Sequence, residues 1–206
     1  MKSQDVGLLL KLLAMEISEK RTSAELPFWV DWEPDLDAYA GRQHWEDGPK
    51  FDYTARGLEM ETGISKTQIN LSLHRSLDVG LAFKDRKTGI PRVNAQALFE
   101  LIVHGIRYVF PARKGELTRG IGTAFSAPML RGKLLSAGDL DLVWPDAYGK
   151  TMGQSVEPLF KTSPHAVKRD PLLYELLALV DAVRLGQPRE RKLAITLLEE
   201  HMVGKA

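Results

Sequence analysis

Residues 54–93 read TARGLEMETGISKTQINLSLHRSLDVGLAFKDRKTGIPRV, and this stretch decides the fold. Thr54 is suited to cap a helix that begins at Ala55, turns Leu58 inward and stops at Gly63, because glycine accepts the left-handed conformation of a helix end. Ser65 is suited to cap a second helix over 66–79, closed by Gly80. Ile69, Leu73 and Leu77 recur at i, i+4 and i+8, which predicts one core stripe on that helix. Residues 81–83 begin a strand, Lys84-Asp85-Arg86-Lys87-Thr88-Gly89 makes a turn, and 90–93 return. Pro91 has no amide hydrogen to donate, so the return strand is expected at a sheet edge.

The second helix must bury the stripe and show its other face to solvent. That face holds Lys66, Thr67, Asn70 and His74, with Gln68 at its margin. Asn and Gln can pair bidentately with an adenine edge, and Lys with guanine N7 and O6. Ser65 and the first amides of the helix suit a phosphate. Arg75 adds a charge on the helix, and Lys84, Arg86, Lys87 and Arg92 add theirs on the ribbon. Residues 63–93 hold six bases against Asp78 and Asp85, a local charge of +4 on a chain whose net charge is +1. A basic patch on a balanced chain is the electrostatic footprint of phosphate binding. The candidate DNA-binding set is Ser65, Lys66, Thr67, Gln68, Asn70, His74, Arg75, Lys84, Arg86, Lys87 and Arg92.

The run TARGLEMETGISKTQINLSLHRSLDVGLAF, residues 54–83, resembles the DNA-binding core of winged helix-turn-helix transcription regulators of the broad MarR-like kind. A small helix ends at a glycine, an apolar residue and a Ser cap follow, and a second helix ends at Gly-Leu. Residues 84–93 match the wing in place and charge. The pattern departs at Ser76, near which such regulators usually carry leucine; here the leucine is Leu77. The resemblance implies sequence-specific binding of double-stranded DNA, control of transcription as a repressor, and a homodimer. The alternative is a protein-interaction module that uses the same scaffold. An antitoxin repressing its own operon is one such module, by analogy of architecture.

Working outward, Asn94 is suited to cap a helix to about Val109, with Leu98, Ile102, Ile106 and Val109 on one stripe and Pro111 as its stop. Residues 4–19 predict a helix with Val6, Leu9, Leu10, Leu13 and Ile17 inward. Gln4, Lys11 and Glu19 lie off that stripe, and Leu8 and Leu12 widen it. Residues 22–52 differ: Pro27, Pro34 and Pro49 punctuate them, three of the four tryptophans fall there, and over 28–52 seven acids face Arg42 and Lys50. A long irregular connection is expected, with a short helix near 35–45, facing away from the duplex or masking the patch. Its aromatics are expected to pin it to the body; the alternative is a partner surface. These segments form an expected winged-helix domain over 1–110.

A C-terminal α+β region is expected over 111–206, for dimerisation or partner binding. Residues 111–140 are rich in Gly, Pro and Ser and read as a loop or linker. Residues 142–144 and 155–159 flank a Pro-Asp-Ala-Tyr-Gly-Lys turn and predict a β-hairpin. Asp170 is suited to cap a helix from Pro171 to about Leu185, ended by Gly186, and Pro188 opens a last helix to about Met202. These two read as an αα-hairpin. Their leucines suit packing within the hairpin and a dimer surface alike, and the leucine-rich segments 6–17 and 172–198 are the candidate dimer interface. The fold class expected is α+β, mostly α.

The chain has 206 residues, enough for one domain or two small ones, and no cysteine. A disulfide scaffold, a thiolate zinc site and a thiol nucleophile are thereby excluded. Charged residues make up 27% and apolar ones 44%, a globular composition. No stretch approaches the ~18 apolar residues of a membrane span, and the N-terminus lacks a secretory layout, so no membrane and a cytoplasmic location are expected. The five histidines are scattered with no HExxH spacing, and Gly120-Ile-Gly122 lacks the third glycine and the GK[ST] ending of phosphate loops. No serine is marked as a nucleophile. No enzyme activity, metal or cofactor is expected.

Overall fold

The computed structural model describes residues 1–20, 29–33, 51–133 and 140–204. Its first helix, α1 (Ser3–Glu19), is apolar on nearly every face, and a helix hydrophobic all round belongs in the interior. Residues 5–15 are all buried, Lys11 included. The expectation that Lys11 lies off the core is therefore corrected. With no solvent side to reach, its Nζ donates to Glu61 Oε2 at 3.0 Å and Asp170 Oδ2 at 2.9 Å, and only 2% of the residue is exposed.

Residues 54–93 form α2 (Ala55–Thr62), α3 (Lys66–Asp78) and an antiparallel ribbon of β1 (Ala82–Lys84) and β2 (Pro91–Val93), with Phe83 opposite Arg92. Thr54 Oγ1 accepts from the Gly57 amide at 3.1 Å, and Gly63 ends α2 with φ at 69°. In the turn of the ribbon, Asp85 Oδ1 accepts from the amides of Lys87 and Thr88. Asn94 caps α4 (Ala95–His104) through the Ala97 amide. The single helix expected to Val109 is interrupted at Gly105 and resumes as α5 (Ile106–Val109). Leu98, Ile102 and Ile106 are buried, whereas Val109, the last residue of α5, is 57% exposed and leaves the expected stripe.

Residues 111–140 are not the structureless linker expected. They contain β3 (Lys114–Gly122), the longest strand described. Its charged outer half and glycines at 115, 120 and 122 hide the two-residue period that marks a strand. Nor do β4 (Leu142–Pro145) and β5 (Thr151–Val156) make the expected hairpin. Each pairs antiparallel with β3, and they meet each other in parallel at Leu142–Gln154 and Val143–Ser155, closing a three-stranded barrel. So tight a closure brings backbones into contact: a Cβ on Gly120 would strike the Trp144 carbonyl, and one on Gly149 would strike Gly120 itself. Only glycine fits at either position.

After the short α6 (Ser163–Val167), α7 (Pro171–Leu185) is capped by Asp170 Oδ1 on the amides of Leu172 and Leu173, and α8 (Pro188–Met202) packs back on it. Asp181 of α7 accepts from Thr123 Oγ1, Trp144 Nε1 and Arg184 Nη1 at 2.9, 2.7 and 2.6 Å, tying the barrel to the helix. Burial pushes that carboxyl upward against the pull of Arg184. One buried apolar cluster runs from α1 through α4 and the barrel to α7 and α8. The segments put forward as a dimer interface are corrected on this point: residues 6–15 and nearly all of α7 lie inside that core, so their leucines are already covered.

The connection after α1 is pinned where it is described. Trp32 is buried and lies 5.8 Å from the Tyr174 ring, and Asp31 accepts from the Gly122 amide and Thr151 Oγ1. The expected helix near 35–45 and Trp45 fall outside the described residues. The architecture is α+β and mostly helical, with two small sheets among the described residues.

Candidate nucleic-acid interface

On α3 the residues that face inward are Ile69, Ser72 and Ser76, with Leu73 and Leu77 half-buried beside them. The expected stripe is thus rotated by a fraction of a turn. Ser76, near which such regulators usually carry leucine, is buried as a small side chain. The reason for serine at 72 is Asp5 of α1, which is fully buried and accepts from Ser72 Oγ at 2.6 Å and from Arg75 Nε and Nη2 at 2.8 and 2.7 Å. Burial pushes the Asp5 carboxyl up, but the bonds from Arg75 and Ser72 outweigh it and hold it below the ordinary value. The bidentate pair fixes the rotation and tilt of α3 on α1.

The eleven candidate residues divide into those presented to solvent and those held by the protein itself. Lys66, Thr67, Asn70 and His74 are exposed on one face of α3. Ser65 is exposed at the N-cap, but its side chain makes no capping bond. Lys84, Arg86 and Lys87 are exposed on the ribbon and form no ion pair among the described residues. Three others are corrected. Arg75 is bonded to Asp5. Arg92 donates to Glu19 Oε2 at 2.8 Å and to Tyr53 Oη at 3.1 Å, with its guanidinium 5.2 Å from the Tyr53 ring centre. Gln68 Oε1 accepts from Gln4 Nε2 at 2.9 Å, and the residue is half-buried. Their polar groups anchor α3 and the ribbon to α1 and leave less for a ligand.

The expected phosphate site at the start of α3 also changes. The Lys66 amide donates to Glu59 Oε1 at 3.3 Å, so a carboxylate of α2 already sits where an anion would bind. Of the six bases between 63 and 93, four remain at the surface: Lys66, Lys84, Arg86 and Lys87. One exposed residue of α3 was overlooked. Leu71 is 45% exposed in the middle of the outward face. Its signal in the sequence is an apolar residue outside the i, i+4 series of Ile69, Leu73 and Leu77.

Among the described residues no group of three or more His, Asp or Glu side chains could hold a metal ion, and no helix is long and apolar enough to cross a membrane. No protein family, curated protein or solved structure matches this chain.

Proposed function

We propose that the chain is a winged helix-turn-helix regulator that binds duplex DNA sequence-specifically, places α3 in the major groove, runs the β1–β2 ribbon along the phosphate backbone, and represses transcription without catalysis. The observation that carries this reading is the face of α3 itself. Thr67, Asn70 and His74 are held outward, with Lys66 on the flank, by a helix locked at Asp5, and a ribbon follows directly with three exposed cations that form no ion pair among the described residues. Rigid presentation of hydrogen-bonding groups beside a phosphate-seeking strand pair is what direct base readout requires. The protein is proposed to act in the cytoplasm, as a homodimer that sets two such helices ~34–36 Å apart on neighbouring half-sites. The test is binding to a random duplex pool over a salt series. Enrichment of one sequence, with affinity falling steeply as salt rises, supports it; no enriched duplex refutes it.

A second reading is favoured by Val79 and Phe83, which are 58% and 53% exposed where α3 meets the ribbon. Exposed apolar side chains beside the motif suit a protein partner, as in an antitoxin. Under that reading the double variant Val79→Ser, Phe83→Ser loses the partner, and the duplex pool yields no preferred sequence.

A further inference from the structure

The outward face of α3 has an apolar centre. At 3.6 residues per turn, Thr67 and Leu71 stand two residues either side of the fully buried Ile69 and straddle the direction pointing away from the core. Leu73 and Leu77 pack against the core; Leu71 does not. An exposed leucine between a threonine, an asparagine and a histidine brings no solubility, and among the described residues it packs on no part of the core.

The same face lacks its best guanine reader. An arginine pairs with guanine O6 and N7 through both guanidinium nitrogens, but Arg75 already directs its Nε and Nη2 at Asp5. Lys66 lies on the flank of the helix, about 60° round from Ile69, where it meets phosphate rather than base edges. What remains at the centre of the N-terminal half is the Thr67 methyl and hydroxyl and the Leu71 isobutyl group, with the Asn70 amide to one side; His74 lies a turn further along. The amide matches adenine N6 and N7, and the apolar groups match the C5-methyl that distinguishes thymine in the major groove. Asp78 lies on the same line as Leu71, two turns on, where its carboxylate would be repelled by the backbone. The N-terminal half of α3 is therefore the half that enters the groove.

Resting on the DNA-binding reading above, we propose that Leu71 is a specificity-determining residue. Its side chain packs on a thymine C5-methyl while Asn70 reads an adenine edge, so the recognised half-site is A·T at its centre. The competing occupant, an apolar protein surface, is an outcome of the same experiment.

The full-length protein and its Leu71→Ala variant are each used to select duplexes from a random pool. Thymines of the selected site are then replaced singly by deoxyuridine, which deletes only the methyl group. Leu71 is exposed, so the variant is expected to fold, and matching circular dichroism checks this. The wild type should select a site with A·T at its centre. One deoxyuridine position should weaken it about fourfold, the fold-change for burying one methyl. In Leu71→Ala that difference should vanish while the salt dependence stays the same. A wild type indifferent to every deoxyuridine, or a variant with unchanged sensitivity, overturns the role of Leu71 and leaves DNA binding standing. Failure of the wild type to enrich any duplex overturns the DNA-binding reading and this inference with it, in favour of a protein partner.

Discussion

At the scale of single residues, the contact between Asp5 and Arg75 sets what α3 can do. A buried carboxylate without a partner is costly, and removing one member of such a pair typically destabilises by about 3–5 kcal/mol. Arg75 keeps roughly a quarter of its side chain in solvent, which softens the loss, so Arg75→Ala is expected to cost about 2–3 kcal/mol in urea unfolding. The pH dependence has a definite sign. Asp5 is held below its unfolded value of 3.8, so its stabilising contribution is complete above that value and is lost as pH falls through the lower folded value. Asp5→Asn should therefore be less stable at neutral pH and show a shallower loss of stability below about pH 4. Equal acid sensitivity in the two proteins would show that the pair contributes nothing.

At the scale of elements, the ribbon separates cations that face solvent from one that holds the fold. Arg86→Ala with Lys87→Ala should weaken every duplex to a similar degree and lower the slope of log affinity against log salt by roughly one per lost phosphate contact. Arg92→Ala should leave that slope unchanged. It should instead destabilise the protein by about 1 kcal/mol, because Arg92 bonds Glu19 and Tyr53 across to α1. Isothermal titrations at several salt concentrations distinguish the two cases. The element boundaries of α2, α3, the ribbon and α7 were legible because caps and glycines mark them: Thr54, Gly63, Asn94 and Asp170 each act as the sequence suggested. The barrel was not legible. Its strands are short, glycine-bearing and paired across long separations, and nothing in the local pattern of β3 reports that β4 will lie on one side of it and β5 on the other.

At the scale of the whole molecule, burial changes the meaning of apolar density. The leucines of α1 and α7 suggested an interface, yet both helices lie inside one core that reaches from α1 to α8. A sequence stripe tells which residues leave water and is silent on whether the same chain or another covers them. For the site the limit was similar: polar residues of α3 were identified by type, but which of them the fold itself would bind depended on Asp5, Gln4 and Glu19, all on α1. Deleting 171–206 should thus leave an insoluble chain rather than a folded monomer, since it removes the helix on which α1 packs. The full-length protein is expected at twice its monomer mass by sedimentation at micromolar concentration, through a surface other than these two helices. A monomer both free and on DNA would remove the dimer and weigh towards the protein-partner reading.

The central claim is that α3 reads bases, and one comparison addresses it directly: selection from a random duplex pool by the wild type and by Asn70→Ala, followed by affinity measurement on the wild-type site at fixed salt. The expected result is a single preferred sequence for the wild type, a loss of about 1–3 kcal/mol on that site for Asn70→Ala, and relaxed preference at one position of it. The contrary result is an absence of any preferred duplex, or the same sequence selected with equal affinity by both proteins, which would show that α3 is not the reading element.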